Sequence, residues 1–362
     1  MKKLLLAATV ATLAMNAAQA APTLYGKLNV TLDQVAHDKF GHGSVTKLNS
    51  NASRLGVKGE EKLTDNLSAV YLAEWAISTD GSGSDTDWSA RNRFIGLKYA
   101  NLATLKVGQF DSYFKTAAGS NQDIFNDHTE LDMTNVLAGE ERLSNVIGLE
   151  TDKSLLGGLT FNVMLQQGEQ ADTLETRSAN KKLGQNSSRH GLGDGISTSL
   201  NYENKDYGLA AAVAGNFGVA AKYNAWNDDL GGKIYSDSIR VTGSLDFTPM
   251  GLNGLGLGAL WQTSEPTDDT VPDFKGLKED AYGVTASYAI PETPVKVKAE
   301  YISATTERDG FKDRKNDLYG VGIDYNINKQ TRFYGVLAQQ KQDWRVKNDK
   351  KTVVGLGMEY NF

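Results

Sequence analysis

Apolar and polar residues alternate one by one along most of this chain, in runs of about ten. In 24–33, Leu24, Gly26, Leu28, Val30 and Leu32 take one phase, and Tyr25, Lys27, Asn29, Thr31 and Asp33 take the other. In 159–166, Leu159, Phe161, Val163 and Leu165 alternate with Thr160, Asn162, Met164 and Gln166. The last nine residues keep the phase to the end, with Val354, Leu356, Met358, Tyr360 and Phe362 against Gly355, Gly357, Glu359 and Asn361. Period two is the mark of a strand with two unlike faces. A strand buried on both faces would not carry so polar a second set.

The pattern predicts about sixteen strands: 24–35, 52–62, 66–79, 88–100, 102–110, 142–151, 157–168, 195–204, 206–217, 234–247, 252–264, 279–290, 294–305, 316–326, 330–343 and 351–362. Short turns such as Thr64-Asp65 and Pro291-Glu292-Thr293 alternate with long polar connections at 36–51, 80–87, 111–141, 169–194 and 218–233. The six prolines fall before, between or at the ends of these segments, as residues that cannot donate to a ladder should. Ten-residue strands with one apolar face, short turns at one end and long loops at the other, describe an all-β, antiparallel transmembrane β-barrel. An even strand count puts both termini on the short-turn, periplasmic side. About sixteen strands enclose a watery lumen rather than a packed core. A soluble β-sandwich or β-solenoid would explain neither the loop asymmetry nor the aromatic terminus.

Residues 1–20 stand apart. Lys2 and Lys3, an apolar stretch from Leu4 to Met15 and Ala18-Gln19-Ala20 have the three parts of a cleavable export signal, so 21–362 is expected to be a single barrel domain in the outer membrane. A net charge of -6 argues against nucleic-acid binding, and the absence of cysteine removes disulfides and thiolate sites. His37, His42, His128 and His190 lack metal-ligand spacing, so no metal, cofactor or catalytic residue is expected and the protein is read as no enzyme. Gly254-Leu255-Gly256-Leu257-Gly258 lacks the Lys-Ser/Thr ending of a phosphate loop and reads as small residues that let a strand curve.

Leu24-Tyr25-Gly26-Lys27, Ser53-Arg54-Leu55-Gly56-Val57-Lys58-Gly59-Glu60, Arg93-Phe94-Ile95-Gly96-Leu97-Lys98-Tyr99, a longest loop at 111–141 and the closing Tyr360-Asn361-Phe362 together resemble the trimeric Gram-negative general porin family. The resemblance implies a homotrimer, passive diffusion of small hydrophilic solutes, and a third extracellular loop, 111–141, folded into the lumen as a constriction. It implies a basic wall at Lys27, Arg54, Arg91 and Arg142 and an inward acid at Glu74; the alternation itself puts Arg93 on the same face as Arg91, opposite Phe94. The candidates for the opposing loop acids are Asp123, Asp127, Glu130 and Asp132. The loop lacks the family's Pro-Glu-Phe-Gly-Gly stretch, while Ile124, Phe125, Leu131, Met133, Val136 and Leu137 favour a loop packed inward. Tyr360 and Phe362 are expected to sit in an aromatic girdle, with Phe362 also read by the outer-membrane assembly machinery. Outer-membrane lipids and lipopolysaccharide are the expected surroundings. A channel preferring a sugar or carboxylate is the alternative, and a receptor or adhesin barrel a further one.

Overall fold

A computed structural model describes residues 21–37, 43–81, 88–125, 128–185, 187–268, 270–345 and 350–362. The expected export signal 1–20 and Asp127 lie outside the described residues. The strands are β1 (Thr23–Ala36), β2 (Val45–Ser50), β3 (Arg54–Lys62), β4 (Leu67–Ile77), β5 (Trp88–Tyr99), β6 (Ala103–Asp111), β7 (Arg142–Thr151), β8 (Leu159–Gln167), β9 (Leu192–Asn204), β10 (Leu209–Ala221), β11 (Ile234–Asp246), β12 (Leu255–Pro266), β13 (Lys278–Ala289), β14 (Val295–Glu307), β15 (Arg314–Asn326), β16 (Thr331–Gln342) and β17 (Lys350–Asn361).

Each periodic segment becomes one strand, with ends moved by a few residues. The addition is β2, which lies inside the expected loop 36–51. Both β2 and β3 pair along β1, so they are two halves of one crossing, and seventeen segments make a sixteen-strand barrel. The crossing breaks at Asn51–Ser53, where Ala52 takes a φ of 48°. The sequence hides β2 because its side chains are mostly polar on both faces. Lys47 and Asn49 serve as partners of Glu130 and Asp33 rather than as a visible period.

All neighbouring strands run antiparallel, and β17 closes on β1 from Lys27 opposite Asn361 to Ala36 opposite Thr352. Closure removes the sheet edge and pairs the backbone groups that hydrocarbon could not satisfy. The faces invert those of a soluble protein. Leu32, Ile95, Val321 and Leu356 are exposed, while Asn29, Thr31, Ser197 and Gln262 are buried. Gly26 keeps the outward position where the Phe362 ring lies, and the two residues exchange backbone hydrogen bonds of 3.0 and 3.1 Å. Tyr360 stacks on Phe362 with ring centroids 6.1 Å apart.

Of the four register shifts among the described strands, two lie on this side of the barrel, opposite the step from Ala73 to Trp75 on β4 and the step from Gly108 to Phe110 on β6. At the first, Arg91 and Asn92 together oppose Glu74. Such a bulge re-aims the side chains beyond it. Arg91 turns inward to Glu74, whereas Arg93 falls into the exposed phase of Ile95, Leu97 and Tyr99. The expected shared face of Arg91 and Arg93 is therefore corrected: the extra residue turns Arg91 inward, while Arg93 keeps the outward phase of Ile95, Leu97 and Tyr99.

Candidate functional site

The inner face of β1 and β3 to β7 carries a connected set of charges. Glu74 is buried, and its carboxylate accepts hydrogen bonds from Tyr25 Oη at 2.9 Å and Arg91 Nε at 2.6 Å. Arg54 Nε approaches the same carboxylate at 3.7 Å, and Lys27 lies opposite Arg54 across β1 and β3. One turn of the wall further, Arg142 Nη2 pairs with Asp111 at 3.0 Å while its Nε donates to Asn92 at 2.6 Å. Asn92 in turn donates to Asp111 at 2.9 Å. The three arginines keep about a fifth of their side-chain surface open, so the ion pairs are only partly withdrawn from water.

Three of the five expected bases thus form one patch, Arg54, Arg91 and Arg142, with Lys27 beside them. Asp111 and Asn92 were not expected to join it. Their phase is set by the two bulges, and bulges depend on cross-strand partners rather than on local sequence. Arg93 is not in this patch. Its guanidinium reaches Gln109 at 3.4 Å on the outer surface.

The segment between β6 and β7 holds one-turn helices at Tyr113–Thr116 and Gly119–Gln122 and a 3-10 turn at Met133–Asn135. Its apolar residues are buried against strands. Ala118, Met133, Val136 and Leu137 cluster with Leu260, Ala281, Ile302 and Leu318. Phe125 and Leu131 cluster with Val35, Tyr334, Val336 and Val353. The strand residues in these clusters take the phase opposite to exposed Trp261, Tyr319 and Leu337. Glycines make the close approach possible: a Cβ on Gly320 would stand 2.8 Å from Leu131 Cδ2, and one on Gly322 would stand 2.7 Å from Phe125 Cε1. At Gly258 a Cβ would overlap the carbonyl oxygen of Asn121, which also accepts from the Thr285 hydroxyl. The glycine string read as permitting curvature therefore has a sharper purpose at its last member.

Polar pins complete the contact. Glu279 accepts from the Ala138 N–H at 2.8 Å, and Asn51 accepts from the Thr129 N–H at 3.0 Å. Asn316 donates to the Asn135 carbonyl at 3.0 Å. Arg240 is fully buried on β11, bonded to Gln262 at 3.0 Å, to the Phe114 carbonyl at 3.2 Å and to the Glu140 carboxylate. Burial pushes the Glu140 carboxyl above its ordinary range, with Arg240 and then Lys115 pulling it back. Arg240 follows Ser236 and Ser238 and precedes Thr242 in the inward phase, and that alternation could have pointed to it.

The expected loop acids have separate partners. Glu130 is buried and pairs with Lys351 at 2.8 Å and Lys47 at 3.7 Å. Asp132 caps the 3-10 turn by accepting from the Thr134 N–H at 2.8 Å. Asp123 ends the helix Gly119–Gln122, its N–H donating to the Gly119 carbonyl at 3.2 Å. So Glu130 and Asp132 hold the loop rather than the three wall arginines, whose described acidic partners are Glu74 and Asp111. His128, set aside as a loop residue, is buried with its Nε2 3.5 Å from Asp33. No group of three or more His, Cys, Asp or Glu that could hold a metal occurs among the described residues.

Comparison with known proteins agrees with this architecture. A family model described as Gram-negative porin matches residues 6–344. The chain is 26% identical to the major outer membrane protein P.IB of Neisseria sicca over 356 residues, 91% of each chain. It is 24% identical to outer membrane porin F of Xenorhabdus nematophila, over 94% of this chain and 91% of that one. In fold it is similar to OmpT of Vibrio cholerae in its trimer form, with a TM-score of 0.66 at 16% identity, covering 95% of this chain and 99% of that one. It is likewise similar to Salmonella typhi OmpF in complex with daunomycin, with a TM-score of 0.63 at 16% identity, covering 94% and 97%. With a closed sixteen-strand barrel, an apolar exterior and a polar interior, the chain belongs to the Gram-negative porin family and forms an outer-membrane channel for the diffusion of small solutes.

Proposed function

We propose that the channel is a passive, non-catalytic one in which residues 111–141 fold into the lumen and leave an opening along Arg54, Arg91 and Arg142. The observation that carries this reading is the asymmetry of the inner wall. Apolar loop residues pack on Leu260, Ile302 and Leu318 at one side, while the partly open arginine patch occupies β3 to β7. A water-filled gap between low-dielectric walls focuses the field of such charges, and polar or charged solutes orient in it. Selectivity then follows the balance of ring charges: Lys27, Arg54, Arg91 and Arg142 against Glu74 and Asp111.

The chain is read as a homotrimer with both termini periplasmic and with the segment 1–20 removed after Ala20. Arg93 supports the trimer, because an arginine on the outer surface of a membrane barrel is costly against lipid near the midplane and is better covered by a neighbouring subunit. Phe362, paired with Gly26 at the barrel's seam, suits recognition by the assembly machinery. Single-channel recording of the purified protein in planar bilayers tests the whole reading. Conductance in steps of three with weak block by added sugars or carboxylates is expected. Saturable block by one solute class would favour a substrate-preferring channel, and absence of conduction would contradict both.

A further inference from the structure

A hollow of about 450 Å³ lies on the inner face at the short-turn end of β14 to β17, where β1 and β3 meet them. Lys27 and Arg54 reach it from the arginine patch, and Lys296, Lys329 and Arg332 line its other side. The acids in its lining are Asp324 and Glu359.

Both acids are already held. Arg332 donates to Asp324 at 3.0 Å and to Glu359 at 2.8 Å. Lys298 pairs with the other oxygen of Asp324 at 3.2 Å. Glu359 also accepts from Asn361 at 3.0 Å and from Asn29 at 3.3 Å. Glu74, further up the wall, is taken by Arg54, Arg91 and Tyr25. Glu300, the next inward residue of β14 beyond Lys298, is buried beside Gly320, where Phe125 and Leu131 pack. At the rim stand Glu292, on the turn whose Pro294 carbonyl accepts from Asn326, and the chain-terminal carboxylate of Phe362, beside Gly26. Among the described residues, no acid stands within ion-pair distance of Lys296 or Lys329. Across the barrel the wall is different. A hollow of about 520 Å³ on β8 to β11 is lined by Thr160, Asn201, Thr242 and Ser244, and the charges at its edge, Lys153 and Glu203, pair with each other at 3.9 Å. The lysines without acids are thus confined to the side that continues the arginine patch.

We propose that this hollow is a binding subsite for a small polyvalent oxyanion travelling along Arg54 and Lys27, with Lys296 and Lys329 as its ligands. Two ammonium groups facing one water-filled space raise the local potential and attract anions. An ion with several charged oxygens takes charge-assisted hydrogen bonds from both lysines at once, whereas a monovalent anion neutralises one of them. The bases then form a descending series from Arg142 through Arg91 and Arg54 to Lys27 and the hollow. The inference deepens the reading given above and rests on Arg54 lining the solute path.

Single-channel chloride current, recorded with inorganic phosphate added equally to both sides of a planar bilayer, tests the subsite whichever way the channel inserts. Phosphate is expected to lower the wild-type current saturably. In K296Q/K329Q the half-blocking concentration should rise about tenfold or more, as a site that loses two charged donors requires. K296R/K329R, which keeps both charges, is expected to keep the block. K62Q/K205Q, which removes two exposed lysines from other short turns, should also keep it. Acetate at the same ionic strength should leave the current unblocked. Equal block of wild type and K296Q/K329Q, in channels that both conduct, would refute the subsite and leave the arginine path standing. Block by acetate as strong as by phosphate would overturn the polyvalent ligand. Unchanged reversal potentials in Arg54→Glu, Arg91→Glu and Arg142→Glu would overturn the inference through the path on which it rests.

Discussion

Arg91 donates to Glu74 at 2.6 Å across a bulge where two residues of β5 oppose one of β4. The contact exists because the strand slips by one residue, and it fixes which arginines reach the lumen. Glu74 also holds Tyr25 and Arg54, so a single carboxylate organises the wall. Glu74→Gln is expected to leave the barrel folded and to move reversal potentials toward anions, since it removes a lumen acid and leaves the arginines. Tyr25→Phe is the uncharged control, removing one hydrogen bond to a charged group, about 1.5–3 kcal/mol, with no change in the sign of selectivity. Reversal potentials under a salt gradient, together with thermal unfolding, distinguish the two.

At Gly258 the loop backbone lies directly against the wall. Any side chain there must displace the Asn121 carbonyl and break its bond from Thr285. Gly258→Val is expected to shift the segment 119–122 and change single-channel conductance, while strand content by circular dichroism stays constant. Gly243 on the neighbouring strand has open space around it, and Gly243→Val should leave conductance unaltered.

Arg240 and Glu140 form a buried pair between β11 and the loop. Breaking a buried pair strands the remaining charge, at a cost of about 3–5 kcal/mol. Arg240→Leu should therefore loosen the loop well before the barrel unfolds, read as faster proteolysis between 111 and 141 and noisier open-channel current. Arg240→Leu combined with Glu140→Leu should recover much of the loss, because no unpaired charge remains.

Arg93 gives a prediction of the opposite kind. It lies on the outer surface in the phase of Ile95 and Leu97, away from the lumen. Arg93→Leu should leave reversal potentials unchanged. If a neighbouring subunit covers this face, the substitution lowers the temperature at which oligomers dissociate on native gels.

The barrel was legible because each crossing repeats one local rule. Leu24, Gly26 and Leu28 state the outward phase within five residues, and nothing remote needs to be known. The same holds for Lys27 and Arg54, whose strands are regular where they occur. The rule fails at Arg91 and Asp111, each within a residue or two of a bulge whose position is set by a partner strand. It fails again at Val45–Ser50, where Lys47 and Asn49 are chosen for Glu130 and Asp33 rather than for alternation. The loop's apolar residues announced burial, yet Glu130 and Asp132 could not announce their partners. Lys351 lies more than two hundred residues beyond Glu130 in the chain, and the Asp132 cap depends on a single turn of 3-10 geometry.

The central claim is that Arg54, Arg91 and Arg142 line the path of the solute. It is tested most directly by reversal potentials of Arg54→Glu, Arg91→Glu and Arg142→Glu, each measured across a planar bilayer under a tenfold salt gradient. Each substitution exchanges a positive for a negative charge in the ring and should move the potential toward cation preference, with Arg93→Glu leaving it in place. Wild-type potentials for all three, in channels of normal conductance, would contradict the assignment.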